Sequence, residues 1–221
     1  DNSYIGNSFN IQLLLSQLID ENIIVFNLRS LIKLDQEGLE ISNGGLIDVY
    51  IPNRLSKISE SFKTKINKVK NTLGYNLTYY EYCLLDNGFT LSNNSKYAQN
   101  YIANCELFYS KIPKKLNFVE SVNYTNGSPM IYLNIGGGKY YCESFINFIK
   151  KIYKSFDINL DIRASFGFRN FTVDYFGFQG TENYAVKITP GISKDLNSHI
   201  FLSIMNELSD RNIDEIINGE I

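Results

Sequence analysis

One stretch, Met130 to Ile188, restricts the possible folds more than any other part of the chain. It opens with an apolar run, Met130-Ile131-Tyr132-Leu133-Asn134-Ile135, and continues through Gly136-Gly137-Gly138 into a helical pattern from Lys139. The run is short enough for a buried strand, and the glycines permit a sharp reversal before the helix. Phe145, Phe148, Ile149, Ile152 and Phe156 recur at helical spacing, which predicts a helix over about 139–155 with these residues inward. The alternation Leu160, Ile162, Ala164, Phe166, Phe168 then predicts a strand over 160–168. At Arg169-Asn170 the parity changes, and Phe171, Val173 and Tyr175 take over the inward positions. A turn or bulge is required there, because a one-residue slip exchanges the two faces of a strand. Tyr184, Val186 and Ile188 predict one further strand.

The flanking sequence adds helices and short strands. Ile11, Leu14, Leu15, Leu18 and Ile19 predict a helix over 8–20, with Ser8 as cap. Ile23–Phe26, Leu31–Leu34, Leu39–Ser42 and Leu46–Ile51 have the composition of short strands. Leu55, Ile58, Phe62, Ile66, Val69 and Leu73 predict an amphipathic helix, ended by Gly74 in a left-handed cap. Its outer face is rich in lysine, the pattern of a solvated surface. Asn76–Leu85 is predicted as a strand, with Asp86-Asn87-Gly88 turning into Phe89–Leu91. Tyr97, Tyr101, Ile102, Cys105, Phe108, Tyr109 and Ile112 predict a core-facing helix that stops at Pro113. Leu116–Val122 predicts a strand, and Asn126-Gly127-Ser128-Pro129 a turn. Ser193 is placed to cap a last long helix carrying Leu196, Ile200, Phe201, Ile204 and Leu208, with a short acidic helix at Ile213–Ile217. The expectation is an α+β fold with mixed or antiparallel sheets and packed helices, its C-terminal half running β-α-β-β-β-α. Residues 1–115 and 116–221 divide as an N-terminal and a C-terminal α+β region, or join as one continuous domain.

Composition limits function. The hydrophobic share of 44% and charged share of 20% are those of a globular protein. A net charge of −2 argues against bulk association with nucleic acid or anionic membrane, while leaving room for a local basic face. No apolar run is long enough to span a bilayer, so no membrane insertion is expected. Cys83, Cys105 and Cys142 lie far apart in apolar contexts, the pattern of buried free thiols. With no signal peptide in view, the sparse cysteines favour the cytoplasm. The five sequons, at Asn76, Asn93, Asn123, Asn126 and Asn170, are what an Asn-rich chain yields by chance. Tyr and Phe are plentiful (16 and 15) and Trp is absent, which fits codon bias or a Tyr-rich binding surface.

Three sets of residues have the elements of chemistry. Gly136, Gly137, Gly138 and Lys139 form a strand-to-helix turn at which backbone N–H groups and a lysine would face a phosphate. The run lacks the spacing and the Ser/Thr of a P-loop, and equally suits a turn that lets a helix lie back on its sheet. Asp174 and Lys187, with Glu182 nearby, have the residue types of a metal-dependent nuclease. Ala185 stands where that pattern needs an acid or amide, and Asp161, Arg163, Asp174 and Lys187 equally suit cross-strand pairing. The single histidine, His199, has no nucleophile elbow beside it and reads as a surface or packing residue. No catalytic residue, metal set or cofactor is expected. The expectation is a non-catalytic protein-interaction or assembly domain with Tyr/Phe-rich surfaces and a protein partner. The alternative is an enzyme or sensor holding a phosphate-bearing ligand at Gly136–Lys139.

Overall fold

The computed structural model describes residues 3, 10–19, 21–88, 91–163, 169–178, 180–192 and 195–219, with the side chains of 87, 88 and 91–93 excepted. The fold is α+β: seven α-helices and two antiparallel sheets among the described residues. The chain forms two compact units, Asp1–Ala98 and Gln99–Ile221.

In the first unit, α1 (Ile11–Gln17) is capped by Asn10, whose Oδ1 accepts the Leu13 N–H at 3.0 Å. Strands β1 (Val25–Ser30) and β2 (Gly45–Tyr50) form a hairpin with Val25 opposite Tyr50 and Arg29 opposite Leu46. The strands expected at 31–34 and 39–42 do not form. That connection is a chain of turns in which Glu37 and Glu40 take positive φ. Buried Gln36 holds it, its Oε1 accepting from the Ile41 and Ser42 backbone at 2.7 and 2.9 Å. Arg29 meets Asp35 at 3.2 Å, both nearly buried. Burial pushes the Asp35 carboxyl up, and the Arg29 charge offsets only part of that. A side-chain scaffold of this kind replaces ladder hydrogen bonds and leaves no pattern of alternation to read.

Helix α2 (Ser56–Leu73) follows a 3-10 turn at Asn53–Leu55 and ends at Gly74 with φ 68°, as its sequence predicts. The strand expected at Asn76–Leu85 is instead a helix, α3 (Tyr79–Gly88). Its start is fixed by a reciprocal cap: Thr78 N–H donates to Glu81 Oε2 at 2.8 Å, and Glu81 N–H to Thr78 Oγ1 at 3.2 Å. Two capping bonds outweigh the β preference of tyrosine. The expected turn at Asp86-Asn87-Gly88 is the end of this helix, Leu91 begins α4 (Leu91–Lys111), and Phe89 and Thr90 lie outside the described residues.

The second unit holds the main core. Its sheet has the order β3-β4-β6-β5, from β3 (Ser121–Tyr124), β4 (Ile131–Asn134), β5 (Thr172–Gly177) and β6 (Tyr184–Thr189). The register aligns two apolar rows across all four strands. One runs Tyr124, Ile131, Ile188, Val173, and the other Val122, Leu133, Val186, Tyr175. On this face lies α5 (Gly138–Ser155), which buries Cys142, Phe145, Ile146, Ile149 and Tyr153. Phe108 of α4, Phe171 and Phe201 form an aromatic cluster with ring centroids 5.3–6.3 Å apart. Helix α6 (Leu196–Glu207) starts at Asp195, whose Oδ1 accepts the Ser198 N–H at 2.9 Å. The expected cap, Ser193, lies outside the described residues. The short acidic helix, α7 (Ile213–Asn218), is closed by an Asn212/Glu215 capping box.

Further departures from expectation have local causes. Of the segment 116–122, only Ser121 onward is strand, the preceding residues forming turns. Of 160–168, residues 160–163 make one bridge, Asp161 to Thr172, and residues 164–168 lie outside the described residues. Cys105 and Cys142 are buried free thiols as expected, whereas Cys83 is only partly buried. Strand β6 is buried on both faces, so Lys187, opposite Asp174 in the ladder, is 4% exposed and not on a solvent face. No described helix is long and apolar enough to cross a membrane.

Candidate functional site

The glycine turn is a left-handed turn of backbone. Gly136, Gly137 and Gly138 have φ of 71°, 63° and 76°, a sequence of conformations that L side chains resist. Gly136 N–H donates to Asn134 Oδ1 at 3.2 Å, and Asn134 Nδ2 donates to Glu120 Oε2 at 2.9 Å. A Cβ on Gly136 would fall 2.5 Å from Glu120 Oε1, and one on Gly137 would fall 2.2 Å from the Tyr141 ring. Lys139 is turned to Glu143, Nζ to Oε1 at 3.4 Å, and lies 5.7 Å from the Tyr175 ring centroid. Tyr175 completes the group by donating its O–H to Glu143 Oε1 at 2.7 Å. That hydrogen bond, with the lysine beside it, holds the Glu143 carboxyl below its ordinary range; the hydrogen bond to Glu143 in turn raises Lys139 and Tyr175. The turn is thus bordered by two carboxylates, and its lysine serves one of them.

The second sequence candidate divides. Asp174 and Lys187 are direct cross-strand neighbours. Glu182 sits in the bend between β5 and β6, and Asp161 pairs with Arg163 at 3.4 Å. Among the described residues no three His, Cys, Asp or Glu side chains converge in a way that could hold a metal ion. Cys105 and Cys142 are held by burial as neutral thiols, their pKa values pushed up to about 12 and about 11.

The third candidate, His199, belongs to a feature that periodicity did not single out. Helix α6 is apolar over a broad face. Phe201 and Met205 face the core, Ile204 and Leu208 belong to the core and also edge a surface groove of about 490 Å³, and Leu196 and Ile200 line that groove against Ile152 and Phe156 of α5. His199, Ser203 and Glu207 form its polar wall. Phe156, expected inward, and Leu196 are 62% and 63% exposed at its two sides. The reason is positional. Phe156 is the residue that caps α5, and Leu196 is the first of α6, so each lies beyond the packed length of its helix. Beneath, α5 and α6 are tied by Tyr153, which is buried one turn before Phe156 and donates its O–H to the Asn197 carbonyl. The available signal was the width of the apolar face, which Leu196 and Ile200 extend beyond Phe201 and Met205.

Chemically, the groove offers apolar contact with a few directional polar groups. It presents no nucleophile paired with a base. No protein-family model matches the chain, and no curated protein matches it.

Proposed function

We propose that the chain is a non-catalytic protein-interaction or assembly module, and that the groove between α5 and α6 receives the apolar side chains of a partner's amphipathic helix. The observation carrying this reading is the exposure of Phe156 and Leu196, each more than half exposed, on the two sides of one apolar trough. A helix laid along α6 would set residues at spacings of three and four against Ile200 and Ile204. Its polar edge would meet His199, Ser203 and Glu207, the last favouring a cationic partner residue. The surroundings of the glycine turn support the same side, because Glu120 and Glu143 disfavour an anionic ligand there.

The test is selection of helical peptides from a randomised display library on the full chain, followed by calorimetry. Selected peptides should carry apolar residues at helical spacing. Leu196→Asp and Phe156→Asp, both at exposed positions, should abolish binding without loss of fold. Binders indifferent to both substitutions would defeat the reading.

A further inference from the structure

We propose that α2 docks the first unit onto the surface of an anionic lipid bilayer. This helix has 18 residues, about 27 Å of length at 1.5 Å per residue. It buries none of them. Its apolar stripe is nonetheless continuous in sequence, and Phe62 rests on the hairpin with its ring 5.8 Å from that of Phe26. Ile58, Val69 and Leu73 are left 43%, 56% and 55% exposed. Lys57, Lys63, Lys65, Lys68 and Lys70 are all exposed, and the helix carries a single acid, Glu60. At 100° per residue Lys65 falls beside Ile58 and Val69, while Lys63 and Lys70 flank the other edge of the stripe. Lysines in these positions extend their stems along the apolar band and lift their ammonium groups to a headgroup layer.

Two observations favour a bilayer over another macromolecule. The stripe repeats every eleven residues, with Leu55/Ile66, Ile58/Val69 and Phe62/Leu73 in step. Eleven residues make about three turns with a drift of about 20°, so over 18 residues the stripe stays on one side of the helix and can lie along a flat surface. Exposed Tyr75, Tyr79, Tyr80 and Tyr82 follow directly, and tyrosine is enriched at membrane–water interfaces. Nucleic acid would engage the lysines but leave the aliphatic side chains without a counterpart. The helix would lie in the interface and not cross it.

The test is co-sedimentation of the full chain with phosphatidylcholine vesicles, alone or with about one third phosphatidylserine. The expected result is binding to the anionic vesicles only, weakening as salt shortens the screening length. Lys65→Gln and Lys68→Gln should each lower partitioning about fivefold, and Val69→Asp should abolish it with unchanged circular dichroism. Leu196→Asp should leave it unchanged, which separates this surface from the α5–α6 groove. Absence of binding to anionic vesicles, equal binding to neutral ones, or binding that survives Val69→Asp would overturn the proposal. So would concentration-dependent self-association or capture of an acidic protein, abolished by Val69→Asp, in a chain that ignores vesicles.

Discussion

Replacing Gly137 by alanine tests whether the triple-glycine turn is required by conformation. At φ 63° an L residue is disfavoured by about 1–2 kcal/mol. The added Cβ would also lie 2.2 Å from Cδ2 of Tyr141. That ring would have to swing away, giving up the hydrogen bond from its O–H to Asp214 Oδ1 at 3.0 Å and its edge contact with Tyr140 at 5.7 Å. In an exposed setting those losses add about 1 kcal/mol. Gly137→Ala should therefore destabilise the second unit by about 2–3 kcal/mol. Gly127→Ala is the control. Its φ is 80° and no atom lies within 4 Å of the built Cβ, so it should show the backbone penalty alone, about 1–2 kcal/mol. Hydrogen exchange of the β4 and β6 amides reads this unit without interference from the first. In a Tyr141→Ala background the difference between the two substitutions should vanish. A Gly137→Ala variant no less stable than Gly127→Ala in the native background would refute the clash with Tyr141.

Other consequences are independent of that turn. Phe171→Ala should destabilise the second unit by about 3–5 kcal/mol, since Phe171 is fully buried between Phe108 and Phe201; a loss under 1 kcal/mol in urea unfolding would contradict that packing. Cys105 and Cys142 should stay unreactive to a disulfide reagent at pH 8 until the chain unfolds, whereas partly buried Cys83 should react first; rapid native labelling of all three would be the contrary result. The Glu81 carboxyl is held below its ordinary value, chiefly by the Thr78 backbone N–H. Its contribution to α3 is therefore present above the unfolded pKa and lost as pH falls through the lowered folded one. The stability gap between native protein and Glu81→Gln should shrink across that acidic window, and a gap that does not change with pH would count against the cap.

How much of this was legible in the sequence depended on what held each element. Helices α2, α4 and α5 were readable because each carries one apolar stripe over many turns, and Gly74 marked its stop. Helix α3 was not, because Tyr79, Tyr80 and Tyr82 resemble a strand while the deciding signal is one Thr-x-x-Glu pair. The 31–44 connection was missed because Gln36 organises it from a single position. Val173, Val186 and Ile188 were read correctly as core residues, yet alternation left the polar face of β6 in solvent, although Ala185, Lys187 and Thr189 are buried. Burial of a second face depends on what covers it, and that is not encoded in the strand itself. At the candidate sites, the glycines were legible as a turn. The groove was hidden because Phe156 and Leu196 continue helical periodicity past the point where packing ends.

His199 provides the most direct measurement. It is the single histidine of the chain, and it stands in the wall of the groove. Its imidazole Cε1–H therefore gives one proton NMR signal free of overlap from any other histidine. Titration with a selected amphipathic peptide should shift that signal in step with calorimetric binding, and Leu196→Asp should remove both responses. A peptide that binds the full chain while the His199 signal stays fixed would place the interaction elsewhere and contradict the assignment of the α5–α6 groove.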